Sequence, residues 1–249
     1  MIAIRNNWGA LIGTIVLFLS STVAVTAQEI SIGFGENGSL SATSLQLIAL
    51  ITLLSLVPGL AVMVTCFPFI VTVLSILRQA IGLQQAPPNM LIVTLALFLT
   101  YFVMDPVFQV AWSQGLQPLI AEQIEVQDAM PLILAPFRAF MEARVDPETL
   151  QRLADLRSVS TAESISDSGA PLSILVPSFL LSELEKAFQI GFLIFLPFLI
   201  IDLVVAAVLM SMGMMMVPPA LVSLPFKLAF FVVADGWSVI SVALVQSYL

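Results

Sequence analysis

Residues 37–77 contain no charged side chain, and within them residues 45–77 give 33 largely apolar positions in succession. One membrane-crossing helix needs only about 20 such residues. A soluble domain cannot hide runs of that kind, because in chains of this size too much of the surface stays in contact with solvent. The rest of the chain shares the bias. Of its 249 residues, 59% are hydrophobic and 10% charged, against roughly 45–50% and roughly 25% in soluble domains. Mean hydropathy is +1.08. The medium around most of this chain is lipid, or protein of similar polarity.

The charges are unevenly placed. Of 24 charged side chains, 16 lie in residues 111–186, where 11 acids meet 5 bases; the other 173 residues share eight. This pattern predicts an all-α membrane protein built of kinked helical hairpins, with a helical polar insertion between two apolar halves. Histidine is absent and Cys66 is the only cysteine, which excludes His-dependent triads, Cys/His zinc clusters and disulfide frameworks. A net charge of −8 disfavours nucleic acid, whose phosphates need a basic surface. No Gly-x-x-x-x-Gly-Lys-Ser/Thr loop is present, so ATPase chemistry is excluded. An enzyme is not expected, and no cofactor or metal is called for.

Residues 1–27 read as a cleaved signal peptide. Arg5 supplies the positive region, residues 9–19 the apolar core, and Val25-Thr26-Ala27 the small residues of a cleavage site. Residues 28–44 form a flexible periplasmic lead. Residues 45–110 read as a first helical hairpin, interrupted at Pro58-Gly59 and Pro68. In the polar domain, 111–186, Asp146-Pro147-Glu148-Thr149 is a strong helix start, with an N-cap acid followed by proline. Residues 158–168 read as a serine-rich solvated loop. Pro177-Ser178 should restart a helix, with Ser182 and Glu185 as a capping box if the start lies later. Residues 187–249 form a second helical hairpin around a Met-rich corner. Four spans remain after signal removal, and an exported N-terminus puts 111–186 on the outer side.

Ionisable groups within apolar segments call for a reason. Asp105, Asp202 and Asp235 are expected to be buried acids in structural pairs between helices or subunits. The contexts of Asp105 and Asp202 lack the glycine pattern of intramembrane aspartyl proteases. Lys227 is the only base after Lys186 and must find an acid among Glu183, Glu185 and Asp202; Glu183 is the expected partner. At the corner, Met210, Met212, Met214, Met215 and Met216 place five of eleven methionines within seven positions. Flexible, polarizable thioethers make a deformable apolar surface. Such a surface suits a constriction in a pore better than ordinary core filling.

These residues carry a resemblance. Leu77-Arg78-Gln79-Ala80-Ile81-Gly82, Val103-Met104-Asp105-Pro106 and Ala187-Phe188-Gln189-Ile190-Gly191-Phe192 are similar to segments of the FliP family of flagellar export-gate proteins. So are residues 209–219, with the methionine cluster and Pro218-Pro219, then Leu224-Pro225-Phe226-Lys227 and Asp235-Gly236-Trp237. One departure is Cys66-Phe67-Pro68-Phe69, where the family usually carries an Arg. The resemblance implies a subunit of the type III secretion export gate, multi-pass in the bacterial inner membrane within the flagellar basal body and exposed towards the periplasm. It implies a self-oligomer, a pentamer by family, together with FliQ and FliR, FlhB and FlhA, and FliO as assembly factor. Unfolded flagellar subunits would be the transient cargo, and the family's methionine constriction maps onto Met212, Met214, Met215 and Met216. The rival readings are the injectisome counterpart, SctR, and a small-solute transporter using Asp105 and Asp202. A transporter of that kind should show matching internal repeats, and residues 45–110 and 187–247 do not match well.

Overall fold

The computed structural model describes residues 40–83, 87–157, 170–214 and 216–248. It divides into two compact units, Met1–Ile51 and Thr52–Leu249, and the second holds nearly all of the described residues. The expected signal peptide, residues 28–39 of the lead, the serine-rich loop and Met215 lie outside the described residues, and the last five residues of the expected flexible lead, 40–44, form the first turn of a helix instead.

Every regular element among the described residues is helical. Helix α1 (Leu40–Met63) spans Pro58 without ending there. The break comes just before Pro68, in Val64-Thr65-Cys66, where the Thr65 hydroxyl donates to the Val62 carbonyl (2.8 Å) and accepts from the Phe67 N–H (3.3 Å). Helix α2 (Phe67–Ile81) then starts with proline in its first turn, which tolerates a missing N–H. It stops at Gly82, whose φ of +87° is a left-handed cap suited to glycine. This short helix is the centre of the second unit: Phe69, Ile70, Val73, Leu74, Leu77 and Ala80 are fully buried.

Helix α3 (Asn89–Ala111) passes Pro106 and runs through a π-helical turn, Trp112–Leu116, into the one-turn helix α4 (Gln117–Ile120). The π turn brings Gly115 against α5 (Val126–Arg144). A Cβ at 115 would lie 2.4 Å from Ile133 Cγ1 and 3.0 Å from its backbone nitrogen, so only glycine fits. Helix α6 (Pro147–Arg157) begins as the sequence predicts: Asp146 accepts the Thr149 N–H (2.8 Å) and its hydroxyl (2.9 Å).

Helix α7 (Leu172–Ser211) is one unbroken element of 40 residues. At 1.5 Å per residue it is about 60 Å long, twice the roughly 30 Å of a bilayer's hydrocarbon. The expected restart at Pro177-Ser178 does not occur, since Pro171 already bounds the helix and Pro177 sits inside it. No capping box forms, because the Ser182 hydroxyl donates to Ser178 O (2.8 Å) and accepts the Asp146 N–H (2.9 Å). The expected division at 186/187 thus falls within a helix. Helices α8 (Pro219–Val233) and α9 (Gly236–Gln246) follow with a 60° bend between them.

Two described helical segments, Asn89–Ile120 and Leu172–Ser211, are long and apolar enough to cross a membrane, and the bent α8–α9 pair makes a third if it counts as one span. Among the described residues that makes two or three of the four expected. The apolar run of 45–77 is divided at the Thr65 break, and α2 is covered by protein: α3, α7 and α8 all pack on it. Hydropathy records an apolar run without recording what covers it.

Candidate functional site

The chain's main hairpin joins α7 to α8 through residues 212–218. Its geometry is set by the backbone. The Gly213 N–H bonds to Met210 O (3.0 Å) and the Met214 N–H to Leu209 O (3.0 Å), the paired bonds of a Schellman motif. Gly213 takes the left-handed position at φ +74°, and a Cβ there would meet nothing within 4 Å. The requirement for glycine here is conformational, not steric.

The methionines around this turn are outside the core. Met210 is 61% exposed, Met212 67%, Met214 41% and Met216 98%. Met212 and Met214 close one end of an apolar groove of about 560 Å3 between α7 and α8, whose walls include Val204, Val208, Leu209 and Phe226. Within one chain these thioethers fill no packed interior. They are presented at the corner, beside its hydrogen-bonded turn.

Lys227 anchors the hairpin, but not to Glu183, the partner expected from the sequence. Its ammonium lies 2.6 Å from Asp202 Oδ2 and donates to Ala80 O (3.2 Å) at the C-terminal end of α2. Ser223 donates to Asp202 Oδ1 (2.5 Å). A cation at a helix C-terminus is favoured by the exposed carbonyls there. Within the chain the expected pairing, which the sequence allowed within or between subunits, does not form, for a reason of length: Glu183 lies 19 residues before Asp202 on the same helix, about 28 Å along it.

Glu183 has its own partners. It is fully buried, accepts the Arg144 Nε–H (3.2 Å) and accepts the Tyr248 hydroxyl. The Arg144 guanidinium stacks 4.0 Å from the Tyr248 ring centroid and donates to Ser247 O (2.7 Å). Lys186 donates to Arg144 O (2.5 Å). Phe69 meets the Tyr248 ring edge-on at 5.4 Å and Phe140 stacks on it at 6.0 Å. Burial and the neighbouring Glu183 carboxylate push the Tyr248 phenol well up from its ordinary value, so it stays a donor. Neither Arg144 nor Tyr248 stands out in the sequence. Arg144, two residues before the Asp146 cap, is one of five bases in the polar region, and a buried acid elsewhere is the signal that one of them must be committed.

The three aspartates expected to be buried are not buried within the chain. Asp202 keeps a third of its side chain exposed. Asp105 is half-buried and accepts from Gln109 Nε2 one helical turn on (2.7 Å). Asp235 is exposed, because it occupies the bend between α8 and α9. Among the described residues no cluster of metal-ligating side chains exists.

Comparison with known proteins matches residues 50–244 to the FliP family. The flagellar biosynthetic protein FliP of Caulobacter vibrioides is 43% identical over 96% of this chain and 89% of its own length. That of Aquifex aeolicus is 41% identical, covering 94% and 98%, and that of Bacillus subtilis 44% identical, covering 83% and 92%.

Proposed function

The chain belongs to the FliP family, and on that premise we propose that it is an inner-membrane component of the flagellar export apparatus, forming part of its protein-conducting channel. The observation that carries the channel reading is the methionine corner. Exposed thioethers on a turn fixed by backbone hydrogen bonds make a soft apolar surface on a stiff mount. A ring of such corners, contributed by several copies, closes by dispersion contacts that are individually weak and numerous. It excludes water and ions. A passing unfolded chain displaces the side chains without moving the helices that bear them. Sister subunits and the other membrane components of the apparatus, FliQ and FliR first, complete the ring, with FlhB and FlhA adjoining and FliO assisting assembly.

The test replaces Met212, Met214, Met215 and Met216 by Ala in cells that lack the wild-type copy. We expect assembled complexes, continued secretion of filament subunits into the medium, and a membrane newly leaky to small solutes or ions. A quadruple variant as tight as wild type reduces the methionines to packing. Loss of secretion with an intact seal would argue for a role in substrate engagement instead.

A further inference from the structure

A second apolar groove, about 580 Å3, lies beside the α8–α9 bend, walled by Ile81, Leu228, Phe231, Val232 and Trp237. Asp235 is the one charged residue among its described lining residues. We propose that this groove takes a Lys or Arg side chain from a membrane helix of another polypeptide, with Asp235 as counter-ion. The inference does not depend on the export reading.

The backbone does not explain the carboxylate. Asp235 sits at φ +48°, a conformation that glycine or asparagine adopts as readily. Its side chain makes no capping bond to α9, which it precedes, and it is exposed. The bend itself rests on Gly236, where a Cβ would come within 2.1 Å of the Phe231 ring.

Position makes the charge costly. Counted as one broken span, α8 and α9 put Asp235 at the break, and a lone carboxylate at membrane depth is unfavourable without a partner. Among the described side chains, the chain's own cations are committed elsewhere. Arg78 is held by Asn89 and Pro87, Arg138 by Glu142, Arg144 by Glu183, Arg152 by Glu148, Lys186 by the Arg144 carbonyl and Lys227 by Asp202. The side chains of Arg5 and Arg157 lie outside the described residues. With a net charge of −8, the balancing cation comes from a different chain. The walls fit that occupant: a Lys or Arg stem lies along apolar surface while its head reaches a polar rim, and the Trp237 ring offers a cation-attracting face beside the acid.

The full chain in detergent, with Trp8→Phe and Trp112→Phe so that Trp237 alone reports, is titrated with n-butylguanidinium. Neutral pentanamide serves as the length-matched control. We expect a saturable change in Trp237 emission with the cation only, weakened about tenfold or more in Asp235→Asn, the scale of one lost charge pair, and largely kept in Asp235→Glu. Asparagine tolerates the backbone at 235, so the variant folds. Equal binding of cation and amide, or equal binding by wild type and Asp235→Asn, overturns the proposal. In cells, a photo-crosslinking residue at Val232 should capture a Lys- or Arg-bearing helix of another polypeptide, with lower yield in Asp235→Asn. Adducts only to lipid, to a second copy of this chain, or at unchanged yield also overturn it.

Discussion

The Lys227 ammonium lies 2.6 Å from Asp202 and 3.2 Å from the Ala80 carbonyl, so one side chain joins α2, α7 and α8. Its side chain is only 7% exposed. Removing one partner of a buried pair leaves the other charge stranded, at a cost of about 3–5 kcal/mol. Here the lower end applies, since a third of the Asp202 side chain stays exposed. Lys227→Met should therefore lower the melting temperature in detergent by roughly 6–12 °C. Combining it with Asp202→Asn should cost less than the sum of the two single changes. Strict additivity would show that the pair is not coupled.

The Glu183 cluster gives an ordered series. Tyr248→Phe removes one hydrogen bond to a buried carboxylate, worth about 1.5–3 kcal/mol. Arg144→Met removes that acid's ion-pair partner and the stacking on Tyr248 together, and should destabilise more. Glu183→Gln in the Arg144→Met background should then recover part of the loss. If Arg144→Met melts no lower than Tyr248→Phe, the ion pair contributes little.

Gly213 and Gly236 should fail differently. Alanine at 213 meets nothing within 4 Å but must hold φ near +74°, a conformational cost of about 1–2 kcal/mol that asparagine partly avoids. Alanine at 236 collides with Phe231, so shrinking that ring, as in Phe231→Leu, should rescue Gly236→Ala and leave Gly213→Ala unaffected. Melting curves of the two double variants decide it. Rescue of both or neither would mean that the two positions are not distinct in kind.

Asp146 supplies a pH signature. The Thr149 N–H and hydroxyl hold its carboxyl below the ordinary value of 3.8. A folded value below the unfolded one means the stabilisation is complete above pH 3.8 and fades as pH falls through the lower folded value. Asp146→Asn keeps a capping acceptor but cannot titrate. The stability difference between wild type and Asp146→Asn should be constant at neutral and mildly acidic pH and shrink only in strong acid. A difference that shrinks at mildly acidic pH instead assigns the effect to another group.

The features legible in the sequence are those whose cause is local. Asp146-Pro147 carries its own cap and its own permitted proline, so the α6 start is readable. Gly213 among the methionines carries its own turn. Pro68 marks the break before α2 close to where it falls, while α1 runs on through Pro58, since one missing hydrogen bond does not by itself end a helix. The partner of Lys227 is easily misjudged because pairing follows hairpin register. Asp202 lies nine residues before the end of α7 and Lys227 eight after the start of α8, which puts them level across the corner. Counting away from the corner along each helix, from Ser211 and from Pro219, finds the pair. The Arg144–Tyr248 contact spans 104 positions and depends on where α5 and the last residues meet, which no local pattern encodes.

Gly191 touches Ile76 of α2 so closely that a Cβ there would lie 2.4 Å from Ile76 Cδ1. It divides α7 nearly in half, 19 residues from Leu172 and 20 from Ser211. Treated as a rod, the helix has a fulcrum with equal arms. One degree of tilt about that point swings each end by about half an ångström, in opposite directions. Glu183 sits eight residues from that point, partway along one arm, and the methionines lie at the tip of the other. Were α7 to pivot there as a rigid rod, a displacement at Glu183 would reach the corner enlarged more than twofold, in the ratio of 20 residues to eight.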